Sequence, residues 1–276
     1  MHDGGAIIHI RAGKEIVRKL LSASPKTSSL QTLYGLTFEL YTYLALVASP
    51  TPYNNGTELE LDTRSSLPSW DIFRSYGVFG VIISPIYQCL EIIPRVVALC
   101  TRRQAEMTFN ECSLESWMEF VSLIDMIETP GFANDVLGVH LNPEHGQNLS
   151  ILAVYRHALA IFAYDAMWCG TIPGDESRLS IVRGHALSAL ALIPSLTGTY
   201  FSNVLLWPTI VVGSCLMNEE ERHILRSLLF NREHFFVVTR MKTMLENLWA
   251  KNDLVYFGPY GLQKYMVSHQ AVIYLA

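Results

Sequence analysis

From Ala186 to Met217 the chain runs 32 residues without one charged side chain. Such a run must be buried, in a bilayer or inside the protein, and its length exceeds the roughly 20 residues a membrane crossing needs. Its composition favours the protein interior. Pro194, Gly198, Pro208 and Gly213 punctuate it, Ser, Thr, Tyr and Asn are mixed in, and no flanking cluster of Lys and Arg would set an orientation. The expectation is two buried helices joined by a bend, with no membrane. The rest of the chain can supply the surrounding core, because half of the 276 residues are hydrophobic and only 16% are charged.

Beyond the apolar run the sequence reads as a helix hairpin. Asn218 is placed as an N-cap, with Glu219, Glu220 and Glu221 in the first turn at the positive end of the helix dipole. Glu221 stands three residues after the cap, as a capping box requires. Ile224, Leu225, Leu228 and Leu229 form one apolar face and Asn231 a stop; Val238, Met241, Met244, Leu245 and Leu248 then repeat at three and four residues up to Trp249.

The earlier chain is helical in pattern as well. Ile7, Ile10, Ile16, Val17 and Leu20 mark an apolar face from about Ala6, and a second apolar helix comes next with Phe38, Tyr41 and Tyr43, expected in the core. Residues 49–71, with three prolines and Asn54-Asn55-Gly56, read as a long loop. Residues 78–100 are apolar but broken by Pro85 and Pro94, with Glu91 and Arg95 spaced to pair. Ser113 caps a helix with Leu114, Trp117, Met118, Val121 and Ile124 on its apolar face, stopped at Thr129-Pro130-Gly131. Residues 138–147 form a polar loop, and Leu149 to Trp168 is apolar on most sides, hence central. Asp175-Glu176 begins a helix ending at Pro194, and residues 256–276 make a last helix and an apolar end. No strand alternation and no solenoid repeat appears, so the fold class is all-α, roughly nine helices in one multi-helix array with no sheet, and one domain over 1–276.

Several functions are disfavoured. There is no Gly-rich phosphate loop, nucleophile elbow, His-Glu-x-x-His or aspartate-rich helix. His140 and His145 flank Glu144 without a further ligand nearby, and His9 reads as a helix-face residue. The five cysteines (Cys89, Cys100, Cys112, Cys169 and Cys215) include no close pair in sequence, so they are expected reduced and not zinc-binding, in a nuclear or cytosolic compartment. A net charge of −5 with no basic stripe argues against nucleic-acid binding by these residues; Thr101-Arg102-Arg103 reads as a solvated helix end. No catalytic, cofactor-binding or metal residue is assigned, and the chain is expected not to be an enzyme.

Leu206-Trp207-Pro208, Gly213-Ser214-Cys215, Arg222 with Ile224, and Leu245 to Trp249, in that order, resemble the fungal-specific regulatory domain of zinc-cluster transcription factors. His9-Ile10-Arg11-Ala12, the aromatic second helix and Tyr164 fit the same pattern. The resemblance implies a nuclear regulator of RNA polymerase II transcription that couples dimer state, other transcription regulators or a small-molecule effector to its output. It also implies DNA binding through an N-terminal six-cysteine zinc cluster in full-length members. No such cluster lies among these residues, so no cofactor is expected here and the chain reads as N-terminally truncated relative to the family, a fragment or a shortened paralogue. The rival readings are a helical enzyme or metabolite-binding protein, and a membrane-associated helical protein.

Overall fold

The computed structural model describes residues 5–23, 27–47, 51–52, 86–109, 111–129, 145–169, 175–196, 198–199, 204–230 and 236–269. All regular structure among them is helical: α1 Gly5–Ser22, α2 Ser28–Val47, α3 Tyr87–Met107, α4 Leu114–Glu128, α5 His145–Trp168, α6 Glu176–Leu196, α7 Leu206–Gly213, α8 Glu219–Phe230, α9 Phe236–Ala250, a 3₁₀ turn Leu254–Tyr256 and α10 Gly258–Ser268. The expected loops at 49–71 (apart from Thr51 and Pro52) and 138–147 (of which 145–147 instead begin α5), the stops at Pro130-Gly131 and Asn231, Pro85, and the apolar end at 270–276 fall outside the described residues. So do the side chains of Ile7, His9, Ile10, His140, Glu144 and His145.

The centre is α5, as its sequence predicts. Ile151, Leu152, Val154 and Tyr155, the run Ala158 to Ala163, and Ala166 are all buried, so the helix is dry around nearly its whole circumference. Helices α3, α4, α6, α7 and α10 pack against it. Its alanines let neighbours approach closely, while Tyr155 and Phe162 reach out to the fully buried Trp207 of α7, with ring centroids 5.8 and 5.2 Å away. Truncating an aromatic held on two sides like this costs about 3–5 kcal/mol. The Tyr155 hydroxyl donates to the Val204 carbonyl just ahead of α7 and shares a hydrogen bond with Tyr43 of α2. Phe38, Tyr41 and Tyr43 are therefore core, as expected.

The charge-free run resolves into the end of α6 and the short α7, and no helix spans it. Helices α5 and α6, at Leu149–Trp168 and Glu176–Leu196, are long and apolar enough to cross a bilayer by length and composition. Helix α5 meets that description because it is a core helix.

Four expectations need correcting. Pro94 lies inside α3, which continues to Met107: one missing N–H is outweighed by burial of Ile92, Ile93, Val96, Leu99 and Cys100 around it. Likewise α6 runs through Pro194 to Leu196. The apolar stripe chosen for α4 faces solvent, with Leu114 73%, Trp117 50% and Met118 62% exposed and Val121 also exposed, while Ser116, Phe120, Leu123 and Ile127 point inward. Ile16 and Ile224 are exposed too, leaving Val17, Leu225 and Leu229 as the buried anchors of α1 and α8. In α9, by contrast, Val238, Met241, Met244, Leu245, Leu248 and Trp249 are all buried, as their spacing predicts.

Candidate functional site

The hairpin that the sequence singles out folds into one knot of side chains. Pro208 sits in the first turn of α7, where its missing N–H has no intrahelical partner to lose. At the other end of α7, a Cβ on Gly213 would lie 2.7 Å from Leu245 and 3.0 Å from Leu225, so glycine lets α8 and α9 close onto the helix. The Gly213 carbonyl accepts a 2.9 Å hydrogen bond from Trp249 Nε1, and the Ser214 carbonyl accepts one from the Gly258 amide, tying α9 and α10 to the same turn. Arg222 Nε donates to the Leu216 carbonyl, and its guanidinium, together with that of Arg226, lies over the Trp249 ring at 5.6 and 5.2 Å.

Carboxylates fix Arg226 and tie α8 to α6. Glu221 takes the Met217 and Asn218 amides and the Asn218 side chain, which is the acidic half of the expected capping box, and it also receives Arg183 of α6 at 2.6 Å. Burial works to raise its pKa, but the Arg183 bond and the two amides outweigh that and lower it. Arg226 bridges Glu246 of α9 and Glu219, and the bonds from Glu246 and then Glu219 hold its pKa above the ordinary arginine value. Between these parts opens a cleft of about 210 Å³, lined by Ser214, Leu216, Arg222, Trp249, Asp253 and Tyr256 among others. An aromatic ring, a cation and a carboxylate, Trp249, Arg222 and Asp253, line it.

A second polar centre was not foreseen. Arg103 is buried: Nε donates to the Met167 carbonyl, an orphan acceptor at the end of α5, and one terminal nitrogen donates to Glu106 at 2.5 Å and to the Glu111 carbonyl at 2.7 Å. Glu106 accepts from Ser113, the N-cap of α4, at 2.5 Å and from the buried Ser116 at 2.7 Å. Burial alone would raise the Glu106 pKa, but the bonds from Ser113, Ser116 and Arg103 bring it down to about 2. Three helices meet in this cluster, so Arg103 does not form the solvated helix end expected for it. The available signal was its spacing from Val96, Leu99 and Cys100, which puts an arginine on an apolar face. Arg95 also reaches α4, donating to Glu119 at 2.9 Å.

His157 and His185 face each other between α5 and α6, with Nδ1 atoms 3.1 Å apart. Burial, then the neighbouring His185 and Arg156, lowers the His157 pKa to about 4, and burial lowers that of His185. No group of three metal-ligating side chains occurs among the described residues.

The model of the fungal-specific transcription factor domain matches residues 2–259, nearly the whole chain, including α7, α8, α9 and the cleft beside them. The chain belongs to that family. Searches of curated proteins and of solved structures returned no match. Family membership makes the protein a transcription regulator. The structure gives the Trp207-Pro208, Gly213, Arg222 and Trp249 pattern a physical meaning: Trp207 packs α7 onto α5, Gly213 admits α8 and α9, and Arg222 and Trp249 line the cleft.

Proposed function

We propose that the chain is the regulatory domain of a zinc-cluster regulator of RNA polymerase II transcription, acting in the nucleus and controlled at the Arg222–Trp249 cleft. The observation that carries this reading is the coincidence of the family pattern with that cleft. The family match spans every residue that lines the cleft. A small polar effector seated on Trp249 would replace water around Arg222 and Asp253 and bias the packing of α8, α9 and the 3₁₀ turn, so its binding energy would be spent on one arrangement of the bundle. Zinc and direct DNA reading belong to a six-cysteine cluster of full-length members. This chain's own residues supply the switch, act through a homodimer or other transcription regulators, and catalyse no reaction.

The test is a tethered reporter assay in a fungal host, with residues 1–276 fused to an unrelated DNA-binding domain. Reporter output should change several-fold relative to the DNA-binding domain alone, and Arg222→Ala or Asp253→Ala should shift it at unchanged fusion abundance. An abundant nuclear fusion with output equal to the DNA-binding domain alone would overturn the proposal.

A further inference from the structure

Helix α5 is apolar along most of its length, and Arg156-His157 is a break in it. The break has a counterpart on α6, which packs along it. His185 of α6 sits opposite His157, with ring centroids 5.4 Å apart and the rings tilted by 51°. Their Nδ1 atoms face each other at 3.1 Å. At that separation only one of the two nitrogens has room for a hydrogen, so at least one lone pair points at the other ring. Moving the remaining hydrogen to Nε2, a tautomer change that alters no charge, leaves two lone pairs converging on one point. Neither ring is sealed in the core. Both are half-buried, and the exposed Gly184 beside His185 has open space around it, so solvent reaches this seam.

The two nitrogens stand at the spacing of a chelate. Imidazole nitrogens bonded to one zinc ion at about 2.0–2.1 Å and held 3.1 Å apart subtend roughly 95–100° at the metal. Opening the pair by about 0.2–0.3 Å gives the tetrahedral angle. We propose that His157 and His185 are the two protein ligands of a site for zinc or a similar imidazole-binding divalent ion, joining α5 to α6 through both Nδ1 atoms, with water completing the shell. The surroundings select the ion. The Arg156 charge acts on His157, so an ion held mainly by charge, such as Mg²⁺, gains nothing here. An ion that bonds strongly to neutral nitrogen gains two ligands. Two protein ligands make an exchangeable site, unlike the closed four-ligand sites of structural zinc. It is separate from the six-cysteine cluster of full-length members and from the Arg222–Trp249 cleft, and it does not depend on the regulatory reading. Its reach extends along α6. Arg183, on the same stretch as His185, bonds Glu221 at the start of α8 at 2.6 Å, so an ion that pins this stretch to α5 also steadies the Glu221 cap.

The full chain, without a polyhistidine tag, is stripped with a chelator, desalted and melted with and without excess Zn²⁺. An ion that binds only the folded chain raises the melting temperature. The rise should be several degrees, should vanish when chelator is added, and should not occur with Mg²⁺ at the same concentration. His157→Gln and His185→Gln should each lose most of it. Cys112→Ser and His223→Gln, which remove exposed ligating side chains elsewhere, should keep it. X-ray absorption at the zinc edge of the wild-type complex should show nitrogen and oxygen neighbours at about 2.0–2.1 Å, two of them imidazoles, and no sulfur. No rise in the wild type, a rise that either glutamine variant keeps, or an equal rise with Mg²⁺ overturns the proposal and leaves the pair a hydrogen bond between helices. Where both variants fail to fold, the absorption spectrum of the wild-type chain decides: sulfur in the shell, or fewer than two imidazoles, overturns it.

Discussion

Replacing Glu106 should expose how much of the bundle rests on one buried carboxylate. Its side chain is 15% exposed and that of Arg103 8%, so both charges are largely out of water. Glu106 accepts three side-chain hydrogen bonds, from Arg103, Ser113 and Ser116. Glu106→Ala leaves Arg103 with neutral partners only, the Met167 and Glu111 carbonyls and the Met107 sulfur, and takes two acceptor sites from the start of α4. Breaking a buried pair from one side costs about 3–5 kcal/mol. Glu106→Gln keeps an acceptor for the serines but not the charge, and should cost roughly 2–3 kcal/mol. The double variant Arg103→Met with Glu106→Met should recover at least half of the Ala loss, because no unpaired charge remains. Urea unfolding at pH 7, read as the midpoint multiplied by a common slope, measures all three. The pH dependence has a definite sign. A carboxylate with its folded pKa depressed to about 2 contributes stability that is complete above about pH 4.5 and lost as pH falls toward 2. A loss below 1 kcal/mol for Glu106→Ala, or a double variant no better than the single, would refute the reasoning.

The geometry sets three further outcomes. Gly261→Ala would put a Cβ 2.0 Å from the carbonyl carbon of Tyr256, backbone that cannot swing aside, so α10 must shift off the 3₁₀ turn; thermal melts should show a loss of about 2 kcal/mol or more. Trp249→Phe removes the donor to Gly213 and weakens the stacking of Arg222 and Arg226; a cost of roughly 1–3 kcal/mol is expected in urea unfolding, against under 1 kcal/mol for the exposed Trp117→Phe. His157 is held neutral by burial and by His185, with its pKa depressed from 6.5 to about 4, so its contribution to stability is present above pH 6.5 and falls away as pH drops toward 4. The melting temperature should therefore be lower at pH 5 than at pH 7.5, and His157→Phe should flatten that difference.

The elements whose burial is decided by apolar spacing could be read directly from the residues. The stripe of α9 and the all-round apolar surface of α5 each admit one placement, and the structure adopts it. Helix α4 admits two. Leu114, Trp117, Met118 and Val121 make one apolar stripe, and Phe120, Leu123 and Ile127 another, so hydropathy alone could not choose. Polar partners far along the chain choose instead: Glu106 draws in Ser113 and Ser116, and Arg95 takes Glu119. Pro94 misled for a related reason, since a local backbone rule was outweighed by packing that becomes visible only in three dimensions. The family pattern located the hairpin knot. The Arg103 cluster had only a partial local signature, the arginine's place on the apolar face of Val96, Leu99 and Cys100, because its partners come from separate helices.

The position of α5 carries a consequence for synthesis. Its partners are divided by the order of translation: α3 and α4 leave the ribosome before it, and α6, α7 and α10 after it. A nascent chain that has just delivered Trp168 can cover only part of this helix and must hold the rest open until residue 268 has emerged. Throughout that interval the polypeptide is a target for chaperones and proteases. Premature stop codons between positions 169 and 258 should therefore behave genetically as nulls, with no partially active products.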